Sequence, residues 1–255
     1  MSLSHVVAFV TGAGSGLGKA TALRLASQGA KVIVADISAD KVNSVVSEIG
    51  GVSALPAVVD VCDEKSVGNA INDALTRWGK LNVTVNCAGI GVAAKTLGKN
   101  GPHSLEQFSN VLRVNTIGSF NVLRLTADKM TKNQPDADGL RGVIINTASI
   151  AAMDGQIGQA AYSASKGAIV SMTLPIARDL SSFGIRVNSI APGLFLTPML
   201  EGLPEAVRTQ LAATVPCPKR LGKPAEYAQL VQSIIENPML NGEVIRLDGA
   251  LRMQP

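Results

Sequence analysis

VVAFVTGAGSGLG, residues 6–18, is the stretch that decides the fold. Residues 6–10 form an unbroken apolar run. The turn Thr11-Gly12-Ala13-Gly14-Ser15-Gly16-Leu17-Gly18 follows at once, and beyond it Gly18, Ala22, Leu25 and Ala26 recur at helical spacing until Gly29 offers a stop. A strand, a glycine-rich turn and a helix therefore succeed one another. Glycines let the backbone turn sharply and approach a pyrophosphate closely. The helix start then presents free N–H groups and a partial positive charge to that anion. On its own such a turn is a weak signal, and the strand–turn–helix setting is what gives it weight.

The pattern repeats outward along the chain. Residues 31–35 read as a second strand ending at Asp36, and a helix follows Ser38 until Gly50 and Gly51. Residues 53–59 read as a third strand ending at Asp60. Asp63 is placed to cap a helix whose apolar face is Val67, Ala70, Ile71, Ala74 and Trp78, and Gly79 ends it. Residues 83–85 begin a fourth strand. Ser104-Leu105-Glu106-Gln107 is a capping-box pattern opening a helix with Phe108, Val111 and Leu112, and with Asn115 in its interior. Residues 142–147 read as a fifth strand. A long helix spans about 159–183, and Pro175 is expected to kink it. Residues 186–190 and 243–247 read as strands six and seven. Apolar strands alternating with helices predict an α/β, doubly wound Rossmann fold with a parallel sheet covered on both faces. No repeat or long linker divides the chain, so 1–255 is expected to be a single domain. Residues 133–139 read as a surface loop.

Composition narrows the function classes. The 255 residues are 46% hydrophobic, enough for a sizeable core in one unit, and only 3% aromatic, so that core rests on aliphatic side chains. Three cysteines, Cys62, Cys87 and Cys217, form no CxxC pair, which speaks for a reducing compartment rather than a disulfide framework. His5 and His103 are the sole histidines and no cluster has metal-ligand spacing. The net charge of +4 is read as ordinary solubility, and no basic run marks a nucleic-acid surface. No stretch has the length of a membrane span, and the short lead Met1 to His5 shows no cleavable targeting segment.

Two sets of polar residues then point to chemistry. Asp36 lies near the offset at which a carboxylate accepts both ribose hydroxyls of an adenosine. It would repel a 2′-phosphate, so NAD is expected rather than NADP. Asp60 is placed either to reach an adenine edge or to cap the next helix. Tyr162 and Lys166 are four apart on one helical face. An ammonium near a phenol favours the phenolate and is expected to lower the Tyr162 pKa, which suits a general acid/base for an alcohol and a ketone. Ser149, after the fifth strand, is placed to bind the same substrate oxygen. Asn115 suits a polar network or a bound water.

The ordered set TGAGSGLG at 11–18, NCAG at 86–89, Asn115, Ser149, YSASK at 162–166 and PG at 192–193 resembles the short-chain dehydrogenase/reductase family over the full chain. The family's usual NNAG is NCAG here, which leaves its backbone role intact. The resemblance implies a seven-stranded sheet of order 3-2-1-4-5-6-7. It implies Tyr162 as acid/base, Lys166 as the group that lowers its pKa and binds the nicotinamide ribose, Ser149 as the carbonyl-orienting hydroxyl and Asn115 as holder of a relay water. It assigns Gly12, Ser15, Gly16, Leu17, Gly18, Asp36, Asp60, Val61, Cys87, Ala88, Gly89, Pro192, Gly193, Phe195 and Thr197 to the cofactor alongside Tyr162 and Lys166.

Longer stretches, RGVIINTAS at 141–149, GQAAYSASKG at 158–167, TLPIARDL at 173–180, IAPGLF at 190–195 and the tail at 241–255, are similar to the branch of that family that oxidises 3-hydroxyacyl-CoA. That likeness implies acyl-CoA or steroid substrates, branched acyl-CoA included, with Gln156 and Gln159 near the substrate and residues 95–102 forming a loop beside its entrance. It further implies a homotetramer in mitochondria, a cytoplasmic enzyme being the alternative. A 3-oxoacyl-carrier-protein reductase is the competing activity, and Asp36 speaks against it. From another class, such chains also serve as a scaffold in a mitochondrial tRNA-processing complex, which would bring nucleic acid in only indirectly. Residues 197–216 are expected to be a loop that shapes the substrate pocket.

Overall fold

The computed structural model describes residues 3–255. Met1 and Ser2, the first part of the short lead into the opening strand, lie outside the described residues. Seven parallel strands form one sheet: β1 Val7–Thr11, β2 Lys31–Asp36, β3 Ala54–Val58, β4 Val83–Asn86, β5 Gly142–Thr147, β6 Ile185–Pro192 and β7 Val244–Leu247. Their spatial order is 3-2-1-4-5-6-7. The switch from leftward to rightward growth falls between β1 and β4, where open α/β sheets bind their ligands.

Helices cover both faces. They are α1 Gly16–Ser27, α2 Ala39–Ile49, α3 Glu64–Trp78, α4 Leu105–Leu112, α5 Ser119–Met130, α6 Ala160–Ser181, α7 Pro198–Glu201, α8 Glu205–Ala213 and α9 Pro224–Glu236. The central strands are apolar throughout because each face meets a helix layer: Ala8, Val10, Val32 and Val34 pack with Leu25 and Tyr227, while Phe9, Ile33 and Ala35 pack with Val67 and Ile71 on the other side. Fully burying one such aliphatic side chain contributes about 1.5–3 kcal/mol. Pro56 is tolerated in β3 because that strand is the edge of the sheet.

Element ends differ from the sequence reading by a residue or two, β6 running furthest past its expected bounds. Asp63 caps α3, its carboxylate accepting from Lys65 N at 2.9 Å, and Gly79 ends the helix in the left-handed region. This settles the capping question at Asp60, which is not the cap. Pro175 sits inside α6, which continues to Ser181. Residues 197–216, expected as a loop, are largely helical, as α7 and α8. Residues 97–102, also read as loop, close a small antiparallel hairpin, Leu97 pairing with Pro102. The helix opening at Ser104 does not run as one regular α-helix. It widens into a π-turn over Arg113–Gly118 before α5 continues it. Cys62, Cys87 and Cys217 are all free thiols. Among the described residues no helix is long and apolar enough to cross a membrane and no acidic, histidine or cysteine cluster is built to hold a metal.

Candidate active site

A cavity of about 700 Å³ opens at the carboxyl ends of β1 to β6. Every cofactor residue named from the sequence, from Gly12 to Thr197, lines it. At the floor, Gly12 has φ +61, and a Cβ there would stand 2.8 Å from Ala88 N; a Cβ on Gly18 would stand 2.2 Å from the Gly12 carbonyl oxygen. No larger residue fits either position, so the turn and the first coil of α1 lie against the end of β4. Thr11, which sequence reading passed over, fastens that contact: its hydroxyl accepts from Cys87 N and Ala88 N, both at 3.1 Å. The N-cap Ser15 makes no side-chain capping bond, which leaves the first N–H groups of α1 directed at the cavity.

Asp36 ends β2 beside this turn. Its Oδ2 accepts from Gly14 N at 3.0 Å and its Oδ1 from Ser38 N at 3.1 Å. A carboxylate has about four acceptor sites, so each oxygen keeps one for a ligand hydroxyl. Asp60 accepts from Cys62 N at 2.9 Å and also lines the cavity. A close-approach glycine turn, an uncapped helix start and a braced carboxylate beyond them fit the pyrophosphate and ribose of a dinucleotide.

The polar cluster lies at the far end. Ser149 follows β5, and its Oγ accepts from Ala151 N at 3.1 Å. Tyr162 and Lys166 stand one turn apart on α6, Nζ lying 5.7 Å from the centre of the phenol ring. Lys166 is 5% exposed and donates to the Thr147 carbonyl at 2.8 Å. Burial draws its pKa from 10.5 down to about 8, opposed only by the thiol of Cys87. The lowered Tyr162 pKa expected from this neighbour is not found. Burial raises it, and the side-chain hydrogen bond with Ser149 is what pulls the other way. The physical reason is that Lys166, which releases its proton near pH 8, is already neutral at the higher pH where the buried phenol titrates.

Asn115 takes its place from the π-turn. Its Oδ1 accepts from Ile90 N and its Nδ2 donates to the Ile90 carbonyl, both at 2.8 Å, while Nδ2 also reaches Ser165 Oγ at 2.9 Å. The amide thus ties the loop after β4 to α6 from behind the cavity wall rather than lining the cavity. Gln159 does line it. Gln156 does not: it is exposed, and its amide donates to the Gln254 carbonyl at 2.7 Å, so the expected substrate contact is instead a tie to the C-terminal tail. Through that tail Met253 joins Ile150, Leu194 and Leu200 in an apolar wall that sequence reading did not assemble.

With this geometry in view, comparison with known proteins is informative. The family model for short chain dehydrogenases matches residues 6–208. A 3-hydroxyacyl-CoA dehydrogenase type-2 of Drosophila melanogaster is 60% identical over 255 residues, covering 99% of this chain and all of the relative. The crystal structure of a 3-hydroxyacyl-CoA dehydrogenase type-2 from Mycobacterium avium superposes with a TM-score of 0.94 at 41% identity, over 98% of this chain and 97% of that one. A 3-ketoacyl-(acyl-carrier-protein) reductase from Brucella melitensis, solved with NADH, follows at a TM-score of 0.88 and 31% identity, over 99% of this chain and 100% of that one.

Proposed function

Given that the chain belongs to the short-chain dehydrogenase family, we propose that it interconverts 3-hydroxyacyl-CoA and 3-oxoacyl-CoA with NAD(H). The observation that carries this reading is the convergence of Ser149, Tyr162 and Lys166 on the same cavity as the glycine turn and Asp36. NAD would be held by Gly12 to Gly18, Asp36 and Lys166, and supplies the hydride acceptor, as NADH supplies the donor. The substrate's oxygen is placed by this chain's hydroxyls. Ser149 donates a hydrogen bond to it, and Tyr162 carries the proton that the ketone gains or the alcohol loses. Because burial keeps the phenol protonated, Tyr162 is poised as a proton donor to a ketone. Lys166, charged below about pH 8, adds a positive field that stabilises the phenolate left behind. The wall of Ile150, Leu194, Leu200 and Met253 suits an acyl chain or a steroid skeleton and excludes water from the reacting carbon.

The carrier-protein reductase reading is the weaker one. A 3-oxoacyl-carrier-protein reductase of Thermotoga maritima is 36% identical, against 60% for the acyl-CoA relative, and Asp36 sets a carboxylate where a 2′-phosphate would have to sit. Leu105, Ile117, Phe120 and Leu174 stay exposed on α4, α5, α6 and the π-turn between α4 and α5, and these exposed apolar side chains support assembly as a homotetramer. The likeness to the acyl-CoA branch carries the proposed mitochondrial placement, which cell fractionation checks.

The test is steady-state NADH oxidation with acetoacetyl-CoA, set beside a steroid ketone. Tyr162→Phe is expected to lower kcat by about 10²–10⁴-fold while NADH binding, followed by fluorescence, stays near the wild-type value. A wild-type chain that leaves acetoacetyl-CoA untouched overturns the substrate assignment, and an active Tyr162→Phe overturns the acid/base assignment.

A further inference from the structure

Behind the cavity wall runs a chain of hydroxyls to which the proposed reaction gives no part. Tyr227, on α9, is fully buried, and its hydroxyl lies 2.7 Å from Thr147 Oγ1. Thr147 Oγ1 itself donates to the Asn86 carbonyl at 2.6 Å. A hydroxyl has one proton, so Thr147 accepts from Tyr227 and the phenol is the donor. The thiol of Cys87 completes the run by approaching the phenol oxygen at 3.6 Å.

Thr147 is where this chain meets the active site. It is the last residue of β5, and the ladder between β4 and β5 has already ended at the Asn86–Asn146 pair. Its side chain ties it there through the bonds to the Asn86 carbonyl and Tyr227. Its main-chain carbonyl accepts the Lys166 ammonium at 2.8 Å. A phenylalanine would fill the same volume under α1 and α9 with no polar atom to satisfy. The hydroxyl at 227 is therefore not there for packing.

We propose that Tyr227 is a positioning residue for Lys166: its hydroxyl locks Thr147 against the end of β4, and so fixes the carbonyl that holds the ammonium beside Tyr162. The inference rests on the proposed dehydrogenase reading of the site. The titratable groups that face Lys166 are Cys87 after β4 and Tyr162 on its own helix, with Tyr227 one residue removed behind Thr147. With the tie cut, the carbonyl is held only by the pairing of β5 with β6, the ammonium loses its fixed acceptor, and Lys166 gives up its proton at a lower pH.

Full-length Tyr227→Phe, Thr147→Val and Thr147→Ser test this, with Ile234→Ala as a buried apolar change on the same helix. The first readout needs no substrate: nitrogen-15 NMR of the lysine side chains across pH, with the Lys166 signal assigned by its loss in Lys166→Met. Lys166 is expected to titrate at lower pH in Tyr227→Phe and Thr147→Val and near the wild-type value in Thr147→Ser and Ile234→Ala. The second readout is the pH profile of kcat for acetoacetyl-CoA reduction. In the two hydroxyl-deleted chains kcat is expected to fall roughly tenfold, with the alkaline limb moved to lower pH and NADH affinity little changed. An unmoved Lys166 titration in Tyr227→Phe, or an equal shift in Ile234→Ala, overturns the proposal. If Tyr227→Phe does not fold, Thr147→Val, which exchanges one hydroxyl for a methyl, decides by the same criterion. Absent wild-type turnover overturns the dehydrogenase reading instead, and the NMR result still judges the positioning role.

Discussion

Replacing Lys166 by methionine should abolish turnover and yet make the protein more stable. Lys166 is 5% exposed, donates to one carbonyl and faces no carboxylate among the described residues. Its fall in pKa from 10.5 to about 8 is caused by desolvation. At 1.36 kcal/mol for each tenfold change in proton affinity, the charged form disfavours the folded state by about 3 kcal/mol. The direction with pH follows from proton counts. Between about 8 and 10.5 the unfolded lysine still holds its proton and the folded one has released it. The unfolded state therefore binds more protons in that window, so wild-type stability rises across it, and below about pH 8 the full penalty applies. Methionine removes the charge at similar volume but leaves the Thr147 carbonyl without its donor, which costs about 1–2 kcal/mol. The net expectation is a variant more stable than wild type by about 1–2 kcal/mol at pH 7, without NAD. That advantage should fade as pH rises from 8 towards 10.5. Urea unfolding of both chains at one protein concentration and several pH values measures it. A variant no more stable at neutral pH, or a difference that stays constant from pH 7 to pH 10, refutes the idea that this ammonium is held at a desolvation cost.

Two further outcomes follow from the floor of the cavity. Asp36→Ala removes the carboxylate proposed to accept the ribose hydroxyls as well as the brace on Gly14 N; NADH should bind about 10–100-fold more weakly, and NADPH should gain relative to it, as the ratio of kcat/KM for the two cofactors will show. Gly18→Ala puts a methyl 2.2 Å from the Gly12 carbonyl; the turn must open, NADH affinity by calorimetry should fall at least about tenfold, and stability should drop by about 1–3 kcal/mol, an unchanged affinity being the result that removes the turn from the site.

The parts of the site legible in the sequence are those made by neighbours along the chain. The glycine turn, Asp36 at the end of β2, the Asp63 cap and the Tyr162–Lys166 pair each depend on a few consecutive residues, so type and spacing suffice. What failed to show depends on long-range packing. The spacing of Tyr162 and Lys166 shows that an ammonium is near, not that both groups are buried, and it is burial that turns the sign of the Tyr162 shift. The π-turn at Arg113–Gly118 leaves no composition mark, yet it sets Asn115 against Ile90 and Ser165. The resemblance implies Gln156 near the substrate, and nothing local shows the tail returning to meet it at Gln254. The helix α9 was missed although its signal was present: Pro224 at its first position and Glu226, whose carboxylate accepts from Lys223 N at 2.7 Å, form a usable start.

That no carboxylate among the described residues faces Lys166 is itself part of how the site works. An aspartate at the Thr147 carbonyl's place would hold the ammonium more tightly and keep it charged to higher pH. It would also cancel most of the positive potential that Tyr162 meets, because opposite charges a few ångströms apart leave little field beyond them. A neutral carbonyl orients the ammonium without cancelling it. Such an arrangement carries a stability penalty that the molecule offsets elsewhere, in a sheet whose central strands are buried on both faces. It also demands that the carbonyl be held still by something uncharged. The hydroxyl run from Tyr227 through Thr147 to Asn86 meets that demand, which is why the Tyr227 hydroxyl is turned to this strand end rather than to solvent.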